Sequence, residues 1–290
     1  MRKRVGIEGG QELGRMSELA VVFDGAGVLY APFRIIKDME RGLTKRSRVS
    51  GITCTEGLER GAMTILKTRY EETMKEEEPS KILSDLMREK KIENKVVYKK
   101  NGISDREVVE AILSDKNVKL KDVHETMSFL RRCDILPVIG VGLIVDMAKG
   151  GGRIKYVIAG GINFFPGTLK LLKELRARGV LLFVASGDRI EGEEMAAYLP
   201  DIPPENIFGM MKPEDKRELV RKLKEEHKVM MVGDDRNDYL AMWEADIAVL
   251  SLQEEADRPG KIFEVADFRI KDIGEVKEII EEIGRGDKNG

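Results

Sequence analysis

Four short stretches of the sequence place reactive or charged side chains where apolar segments end or a helix begins. They are FDGAGV, with Asp24; VASGD, with Ser186; MKPEDK, with Lys212; and VGDDRND, with Asp234 and its neighbours. Together they supply carboxylates, one hydroxyl and one ammonium group. Carboxylates can act as nucleophiles or bind cations, and an ammonium group can neutralise an anion, so this set is suited to enzymatic chemistry on a charged ligand.

These groups can act together only if neighbouring strands bring them to one place. The apolar run LAVVFDG predicts a short buried strand that ends at Asp24. After Gly161, predicted strands such as VLLFVASGD and KVMMVGDD alternate with predicted helices such as FPGTLKLLKELRARG and KPEDKRELVRKLKEEH, which is typical of βαβ units and a parallel sheet. Because ligands of open parallel sheets bind beyond the carboxyl ends of the strands, we expect the candidate residues to converge at that edge.

A long insert separates the first predicted strand from the others. From about residue 35 to 133, segments such as GLERGAMTILKTRYEETMKEE, SKILSDLMREKK and KDVHETMSFLRR repeat apolar residues at three- and four-residue steps, which favours helices. ILPVIGVGLIVDMAKGGGRIKYVIAGG holds two apolar runs around a Gly-rich turn and predicts a hairpin. We therefore predict an N-terminal extension over 1–14, a discontinuous, doubly wound α/β core over 15–32 and 160–290, and a mainly helical cap domain over 33–159 with the hairpin near 136–159.

Composition and charge argue against several function classes. The net charge is −2, with 50 basic and 52 acidic residues, so binding to nucleic acid or to an anionic membrane surface is not expected. No apolar run approaches the ~18 residues of a membrane helix, and the basic N-terminus lacks a signal-peptide core, which predicts a cytoplasmic protein. Cys54 and Cys133 are far apart, which argues against a disulfide framework. The abundance of Lys, Arg and Glu with little Gln indicates a thermophilic source.

In the order and wording of the four motifs, the sequence resembles the phosphohydrolases of the haloacid dehalogenase superfamily. VGDDRND is the most specific of the motifs. The wording of SGD and GDDRND is most similar to the phosphorylation domain of P-type ATPases and to the related soluble phosphatases. The resemblance covers about half of the chain and implies a Rossmann-like core, with the insert in the place of the family's cap. It also implies a phosphatase whose partner is a small phosphorylated molecule.

The resemblance implies a role for the residues that would handle the phosphoryl group. Asp24 matches the family's nucleophile, which forms an aspartyl-phosphate. Ser186 and Gly187 match the residues that hydrogen-bond the phosphoryl oxygens. Lys212 matches the lysine that offsets the negative charge gathered on Asp24 and the phosphate.

The resemblance also implies a Mg²⁺ site. Asp24, Asp234 and the backbone carbonyl of Ala26 would hold the ion, which prefers oxygen ligands and bridges to phosphate. Residues around Asp234 would support this shell; they are Asp235, Asn237 and Asp238, and whether Asp235 or Asp238 does so stays open.

Ala26 departs from the pattern of most phosphatases of the family. They carry Asp two residues after the nucleophile, where it protonates the leaving group and then activates water, and such help contributes about 10²–10⁴-fold in rate. An alanine side chain cannot transfer a proton. We therefore expect a preference for activated donors, such as phosphoanhydrides, acyl phosphates and phenyl phosphates, whose leaving groups depart without one.

Two alternatives stay open. Phosphonoacetaldehyde hydrolases also carry Ala at this place and cleave a carbon–phosphorus bond with the help of a cap lysine that forms a Schiff base. Lys67 stands at a broadly similar distance after the nucleophile. The other alternative is a catalytically weak binding or regulatory protein of the same fold. The sequence names neither the substrate nor the oligomeric state.

Overall fold

The computed structural model describes residues 19–133, 135–148, 151–188, 190 and 192–286. The described residues up to Ala31 and those from Phe164 onward form one compact unit, hereafter unit 1, and Pro32–Asn163 form unit 2. The predicted N-terminal extension lies outside the described residues. No helix among the described residues is long and apolar enough to cross a membrane.

The strands and helices have the following bounds. The strands are β1 (Leu19–Phe23), β2 (Tyr30–Asp38), β3 (Leu43–Ser47), β4 (Gly61–Leu66), β5 (Asn94–Lys99), β6 (Leu136–Asp146), β7 (Arg153–Phe164), β8 (Leu181–Ala185), β9 (Ile207–Phe208), β10 (Lys228–Gly233), β11 (Ile247–Ser251) and β12 (Phe268–Ile270). The helices are α1 (Gly51–Glu56), α2 (Tyr70–Thr73), α3 (Leu83–Glu89), α4 (Asp105–Ser114), α5 (Leu120–Arg132), α6 (Thr168–Ala177), α7 (Gly192–Ala196), α8 (Pro213–Leu223), α9 (Tyr239–Glu244), α10 (Gly260–Val265) and α11 (Glu275–Gly286).

Unit 1 is built on a parallel sheet with the strand order β12-β11-β10-β1-β8-β9. All five residues of β1 are buried, as expected for a Val- and Phe-rich strand at the centre of a parallel sheet. Phe23, its last residue, pairs with Val232 of β10 and with Val184 of β8. The predicted α/β core is therefore confirmed, and the three strands that precede the candidate residues end side by side.

Helix α8 packs against this sheet and carries one of the candidate motifs. Pro213 occupies its first turn, where the missing N–H is not needed and the fixed φ suits a helix. The buried residues of α8 are Lys216 and Val220, four residues apart and hence on the same face. A lysine on the buried face of a helix requires partners inside the protein.

Unit 2 contains an antiparallel sheet with the order β3-β2-β7-β6-β4-β5. The core of unit 2 joins apolar residues of this sheet, such as Val145 and Val157, to residues of α3, α4 and α5, such as Leu86, Ile112 and Leu130. Strand β6 pairs with β7 from Leu136 opposite Ile162 to Asp146 opposite Arg153, in the region where the sequence predicts a hairpin.

The expectation of a mainly helical insert is wrong. The sequence GLERGAMTILKTRYEETMKEE, predicted as one helix, contains strand β4 and only the short helix α2. Strand β4 pairs on one side with β5 and on the other with β6, with Thr64 opposite Val96 and Leu143. The periodicity of a short apolar run fits a helix and a buried strand equally well. In β4, pairing with the distant strands β5 and β6 favours the strand.

Candidate active site

Asp24 is the first residue after the central strand β1, and its carboxylate is held from two sides. The Asp24 N–H donates to the carbonyl of Val232 at 2.9 Å, which continues the pairing of β1 with β10. Its Oδ1 accepts hydrogen bonds of 2.7 Å from the Gly25 N–H and 2.7 Å from Lys216 Nζ. The side chain is buried, so the strand end and these contacts fix one carboxylate oxygen in place.

The lysine beside Asp24 is Lys216, and the prediction of Lys212 for this position is wrong. Lys216 Nζ lies 2.7 Å from Asp24 Oδ1 and 2.7 Å from Asp238 Oδ1, and its side chain is fully buried. Lys212 is exposed and precedes the first turn of α8, where its N–H donates to Asp215 at 3.0 Å. Pro213 marks the start of the helix, so a lysine one turn later, in register with Val220, is the one that faces the sheet.

Asp238 connects the fourth motif to this lysine. The side chain is fully buried; Oδ1 binds Lys216, and Oδ2 accepts from the N–H of Asp234 at 2.9 Å and of Asp235 at 3.5 Å. The carboxylate oxygens of Asp24, Asp234 and Asp238 come within 4.8 Å of one another. Between the two alternatives from the sequence, the structure thus brings Asp238 into the carboxylate cluster, while Asp235 lies half-buried beside it and Asn237 is exposed.

Burial and mutual repulsion shape the titration of this cluster. Burial, followed by the charge of Asp238, raises the pKa of Asp24 well above its usual range, against the lowering effect of Lys216. Burial, followed by the charges of Asp238 and Asp235, raises the pKa of Asp234 to about 7. Burial lowers the pKa of Lys216, but Asp238 and Asp24 outweigh it and leave that pKa raised, so the lysine stays charged.

These groups fit a divalent cation. Burial disfavours the ionised form of these closely spaced carboxylates. A bound cation would stabilise that form and displace their protons. An all-oxygen set suits Mg²⁺. Asp24 and Asp234 supply such oxygens, beside Lys216 and close to Asp238.

Glycines allow the loop after β1 to approach the cluster. Gly27 has φ of +77°, and a Cβ there would lie 2.2 Å from Asp234 Oδ2. A Cβ on Gly25 would lie 2.3 Å from the hydroxyl of Tyr30. Ala26, between them, is half-buried and brings no group that can transfer a proton.

Ser186 is the first residue after β8, and it is fully buried. Its N–H donates to the Phe208 carbonyl at 2.8 Å, and its Oγ accepts from the Asp188 N–H at 3.1 Å. Oγ also lies 3.1 Å from the hydroxyl of Tyr30. Gly187 follows Ser186 and is exposed.

Sequence reasoning missed Arg258 and Tyr30. The Arg258 side chain, in the loop after β11, is only 5% exposed; its Nε donates to the Asp234 carbonyl at 2.6 Å, and its Nη2 lies 3.9 Å from Asp234 Oδ2. The loop SLQEEADRPG has no motif that distinguishes this arginine. Tyr30 belongs to the run GVLY, in which no motif distinguishes its hydroxyl.

Lys67 is the candidate lysine of the Schiff-base alternative. It belongs to unit 2, where it follows β4. Its Nζ lies 3.3 Å from Glu93 Oε2, and both side chains are more than half exposed. This is the environment of an ordinary solvated lysine.

Known proteins resemble this chain as follows. A family model described as haloacid dehalogenase-like hydrolase matches residues 19–246. A soluble P-type ATPase-like phosphatase of Methanocaldococcus jannaschii is 31% identical over 276 residues, which cover 94% of this chain and 97% of that protein. A copper-transporting ATPase of Helicobacter felis is 31% identical over 132 residues, 45% of this chain and 15% of that protein. The structure of a zinc-transporting PIB-type ATPase in the E2.Pi state is 17% identical, with a TM-score of 0.47, and the match covers 93% of this chain and 41% of that one.

Proposed function

The chain belongs to the haloacid dehalogenase-like hydrolases, and from this premise we propose that it is a Mg²⁺-dependent phosphatase that acts through an aspartyl-phosphate on Asp24. One observation carries the proposal. The Asp24 carboxylate, at the end of the central strand, shares the buried Lys216 with Asp238 and lies in a cluster with Asp234. A nucleophile, a fixed positive charge and oxygen ligands for a cation are what phosphoryl transfer needs.

Asp24 attacks phosphorus in the first step. Because Oδ1 accepts hydrogen bonds from Lys216 and Gly25, we assign the attack to Oδ2. The new oxygen–phosphorus bond forms as the bond to the leaving group breaks, and the leaving group takes the electron pair. Water then attacks the aspartyl-phosphate, inorganic phosphate departs, and the carboxylate is restored.

Lys216 stabilises charge in both steps. Its raised pKa keeps the ammonium group protonated, so it balances the negative charge that gathers on Asp24 and the phosphoryl oxygens. Ser186 and Gly187, at the end of the neighbouring strand β8, hydrogen-bond the phosphoryl oxygens and orient them toward Asp24.

Asp24, Asp234 and the backbone carbonyl of Ala26 hold the metal in this proposal. Mg²⁺, when bound, neutralises phosphoryl charge and lowers the barrier to attack by an anionic nucleophile. Asp238 supports this arrangement through its bonds to Lys216 and to the Asp234 N–H, and Arg258 supports it through the Asp234 carbonyl. Asp235, which is half-buried, and Asn237, which is exposed, are assigned an outer position beside Asp234.

The substrate is a small phosphorylated molecule with a good leaving group. This follows from Ala26, which supplies no proton to the leaving group, so a strongly basic alkoxide leaves slowly. Acyl phosphates, phosphoanhydrides and phenyl phosphates meet the requirement. A cytoplasmic location stays a prediction from the sequence.

The proposal is tested with Asp24→Asn beside the wild type, on acetyl phosphate, p-nitrophenyl phosphate and glycerol phosphate with Mg²⁺. We expect the wild type to turn over the first two substrates and to act on glycerol phosphate at a rate that is lower by at least about 10²-fold. We expect Asp24→Asn to lose all activity. A phosphoenzyme that forms in the wild type and not in the variant completes the test. Equal rates on the three substrates would remove the leaving-group argument, and full activity of Asp24→Asn would remove the nucleophile.

Carbon–phosphorus cleavage and a purely regulatory role remain the alternatives. The exposed ion pair of Lys67 with Glu93 gives no support to Schiff-base chemistry. Borohydride treatment with phosphonoacetaldehyde would trap a lysine adduct if that chemistry occurs. A protein that takes up Mg²⁺ and phosphate but never forms a phosphoenzyme would support the regulatory role.

A further inference from the structure

The hydroxyl of Tyr30 lies beside Ser186 of the proposed phosphate site, and it has no role in the proposed mechanism. The side chain is fully buried, with its ring edge-on to Phe164 at a centroid distance of 6.3 Å. The hydroxyl is 3.1 Å from Ser186 Oγ and 3.4 Å from Asp188 Oδ2. Gly25 leaves room for this hydroxyl directly beside the nucleophile, since a Cβ there would lie 2.3 Å from it.

The hydrogen bonds of Ser186 show what this contact can do. A serine hydroxyl has one hydrogen to donate and two lone pairs to accept with. One lone pair of Ser186 accepts from the Asp188 N–H at 3.1 Å. The Tyr30 hydroxyl also has a single hydrogen, and both Asp188 and Ser186 are within its reach.

The direction of the Tyr30 hydrogen therefore decides the direction of the Ser186 hydrogen. If Tyr30 donates to Asp188, Ser186 donates to the oxygen of Tyr30, and its hydrogen is occupied. If Tyr30 donates to Ser186, both serine lone pairs are filled, and the serine hydrogen must point to another acceptor. A phosphoryl oxygen is the acceptor that the proposed reaction brings to this site.

We propose that Tyr30 is a positioning residue that aims the Ser186 hydroxyl at the phosphoryl group, donating its own hydrogen to Ser186 when phosphate is bound. The inference rests on the proposed function and adds a residue to it. Both side chains are fully buried, and in this proposal Tyr30 acts through Ser186. Burial, followed by the charge of Asp188, raises the pKa of Tyr30 well above its usual value, so the hydroxyl keeps its hydrogen.

The main test is a double-mutant cycle of Tyr30→Phe and Ser186→Ala. Tyr30→Phe keeps the ring and removes only the hydroxyl. We expect it to lower kcat/KM on p-nitrophenyl phosphate about tenfold and to raise the inhibition constant of inorganic phosphate by a similar factor, the loss of one well-aimed hydrogen bond. In the Ser186→Ala background the same change is expected to cost less than about twofold, because Tyr30 then has no hydroxyl to aim.

Tyr70→Phe is the matched control. Tyr70 is a buried tyrosine of unit 2 whose hydroxyl lies 2.8 Å from His124 Nδ1. Tyr70→Phe also removes one hydrogen-bonded tyrosine hydroxyl, which here is partly buried, so it reports a cost to folding without a cost to phosphate binding. We expect kcat/KM of this variant within about twofold of the wild type, with thermal unfolding measured on every variant.

Asp188→Asn gives a second, independent readout, because it weakens the competing acceptor. In the wild-type background it should tighten phosphate binding both by removing a charge and by releasing the Tyr30 hydrogen toward Ser186. In the Tyr30→Phe background only the charge effect remains, so the gain should be smaller. This comparison stays informative even if Ser186→Ala is unstable.

Several outcomes would overturn the inference. Losses from Tyr30→Phe and Ser186→Ala that multiply would show a structural role for the tyrosine, as would equal gains from Asp188→Asn in both backgrounds. An unchanged kcat/KM in Tyr30→Phe would remove it outright. If Asp24→Asn abolishes turnover while Tyr30→Phe does not lower it, only the inference fails; if Asp24→Asn is fully active, the proposed function fails first.

Discussion

Each unit of the protein buries a lysine between two carboxylates, and the two sites differ in what those carboxylates do next. In unit 1, Lys216 lies 2.7 Å from Asp24 and 2.7 Å from Asp238. In unit 2, Lys37 lies 3.1 Å from Asp122 and 2.5 Å from Glu125. The two sites thus contain the same kinds of group, one lysine and two carboxylates.

In unit 2, Asp122 and Glu125 each accept a further hydrogen bond from the protein besides their ion pair with Lys37. Asp122 also accepts the N–H of Lys119 at 2.9 Å, at the start of α5, and Glu125 also accepts the hydroxyl of Thr44. The hydrogen bond from Lys37, followed by that from Thr44, lowers the pKa of Glu125. Glu125 is therefore more stable as an ion in the folded protein than in the unfolded chain.

The carboxylates of unit 1 are in the opposite condition. Burial raises the pKa of Asp24 and of Asp234, so their ionised forms are less stable in the folded protein than in water. For Asp234, the positive charges of Arg258, at 3.9 Å, and of Lys216 lower the pKa by less than burial and the neighbouring carboxylates raise it. A buried site with surplus negative charge favours a bound cation, which would also offset the charge of a phosphoryl group. A carboxylate whose pKa is lowered by its partners, as Glu125 is, instead stabilises the fold.

The largest expected effect is a loss of activity when Lys216, but not Lys37, is replaced. Lys216→Met is expected to lower kcat/KM on acetyl phosphate about 10²–10³-fold, because it removes the fixed charge that stabilises the phosphoryl group. Lys37→Met, the matched variant of unit 2, and Lys212→Met, at the exposed start of α8, should each stay within about twofold of the wild type. Steady-state kinetics measure this. A loss in Lys212→Met as large as that in Lys216→Met would contradict the assignment of the lysine.

Mg²⁺ should stabilise unit 1 through its carboxylate cluster. At a concentration 100 times its dissociation constant, the ion is expected to add about 2.7 kcal/mol to the free energy of unfolding, because it binds the folded state alone. Asp234→Asn should abolish this gain and Asp122→Asn, in unit 2, should keep it. Denaturant unfolding with Mg²⁺ or with a chelator measures the difference, and a gain that survives Asp234→Asn would place the ion elsewhere.

Neutralising one acid in each unit should shift stability in opposite directions. The folded pKa of Asp24 is raised, so above its unfolded pKa its charge destabilises the fold, and Asp24→Asn in metal-free neutral buffer should raise the melting temperature by about 2 °C. The folded pKa of Glu125 is lowered, so its contribution is complete above the unfolded pKa and is lost as the pH falls through the folded value. Glu125→Gln should therefore lower the melting temperature at neutral pH. Shifts of the same sign would contradict the comparison.

The smallest expected effect on activity comes from adding a carboxyl group to unit 1, which already has a surplus of negative charge. Ala26→Asp is expected to raise turnover of glycerol phosphate about tenfold, because the new carboxyl can protonate the leaving alkoxide. Turnover of acetyl phosphate should rise by a smaller factor, since its leaving group needs no proton and only the activation of water can gain. Ala31→Asp, in the same unit and past the loop, serves as the control. A folded Ala26→Asp variant with no gain on glycerol phosphate would argue against the missing-acid account.

In unit 1, the sequence predicted which residues meet at the candidate site, because each of them follows a recognisable strand. Asp24, Ser186 and Asp234 each follow an apolar run, and parallel strands place their carboxyl ends at one edge, so their proximity could be inferred without coordinates. The sheet of unit 2 could not be inferred in the same way. GAMTIL has the apolar content of a helix or a strand, and only its partners in β5 and β6 decided for the strand.

By itself, then, the sequence determined the alternation of strands and helices, the nucleophile candidate and the absence of an acid at Ala26, because these depend on local pattern and residue type. Only the tertiary structure decided which lysine is buried, that Asp238 joins the cluster, that Arg258 contacts Asp234, and that Tyr30 contacts Ser186. Those choices depend on helix phase and on contacts between residues as far apart in the chain as Tyr30 and Ser186. Helix phase and long-range contacts are set by packing, which residue types alone do not specify.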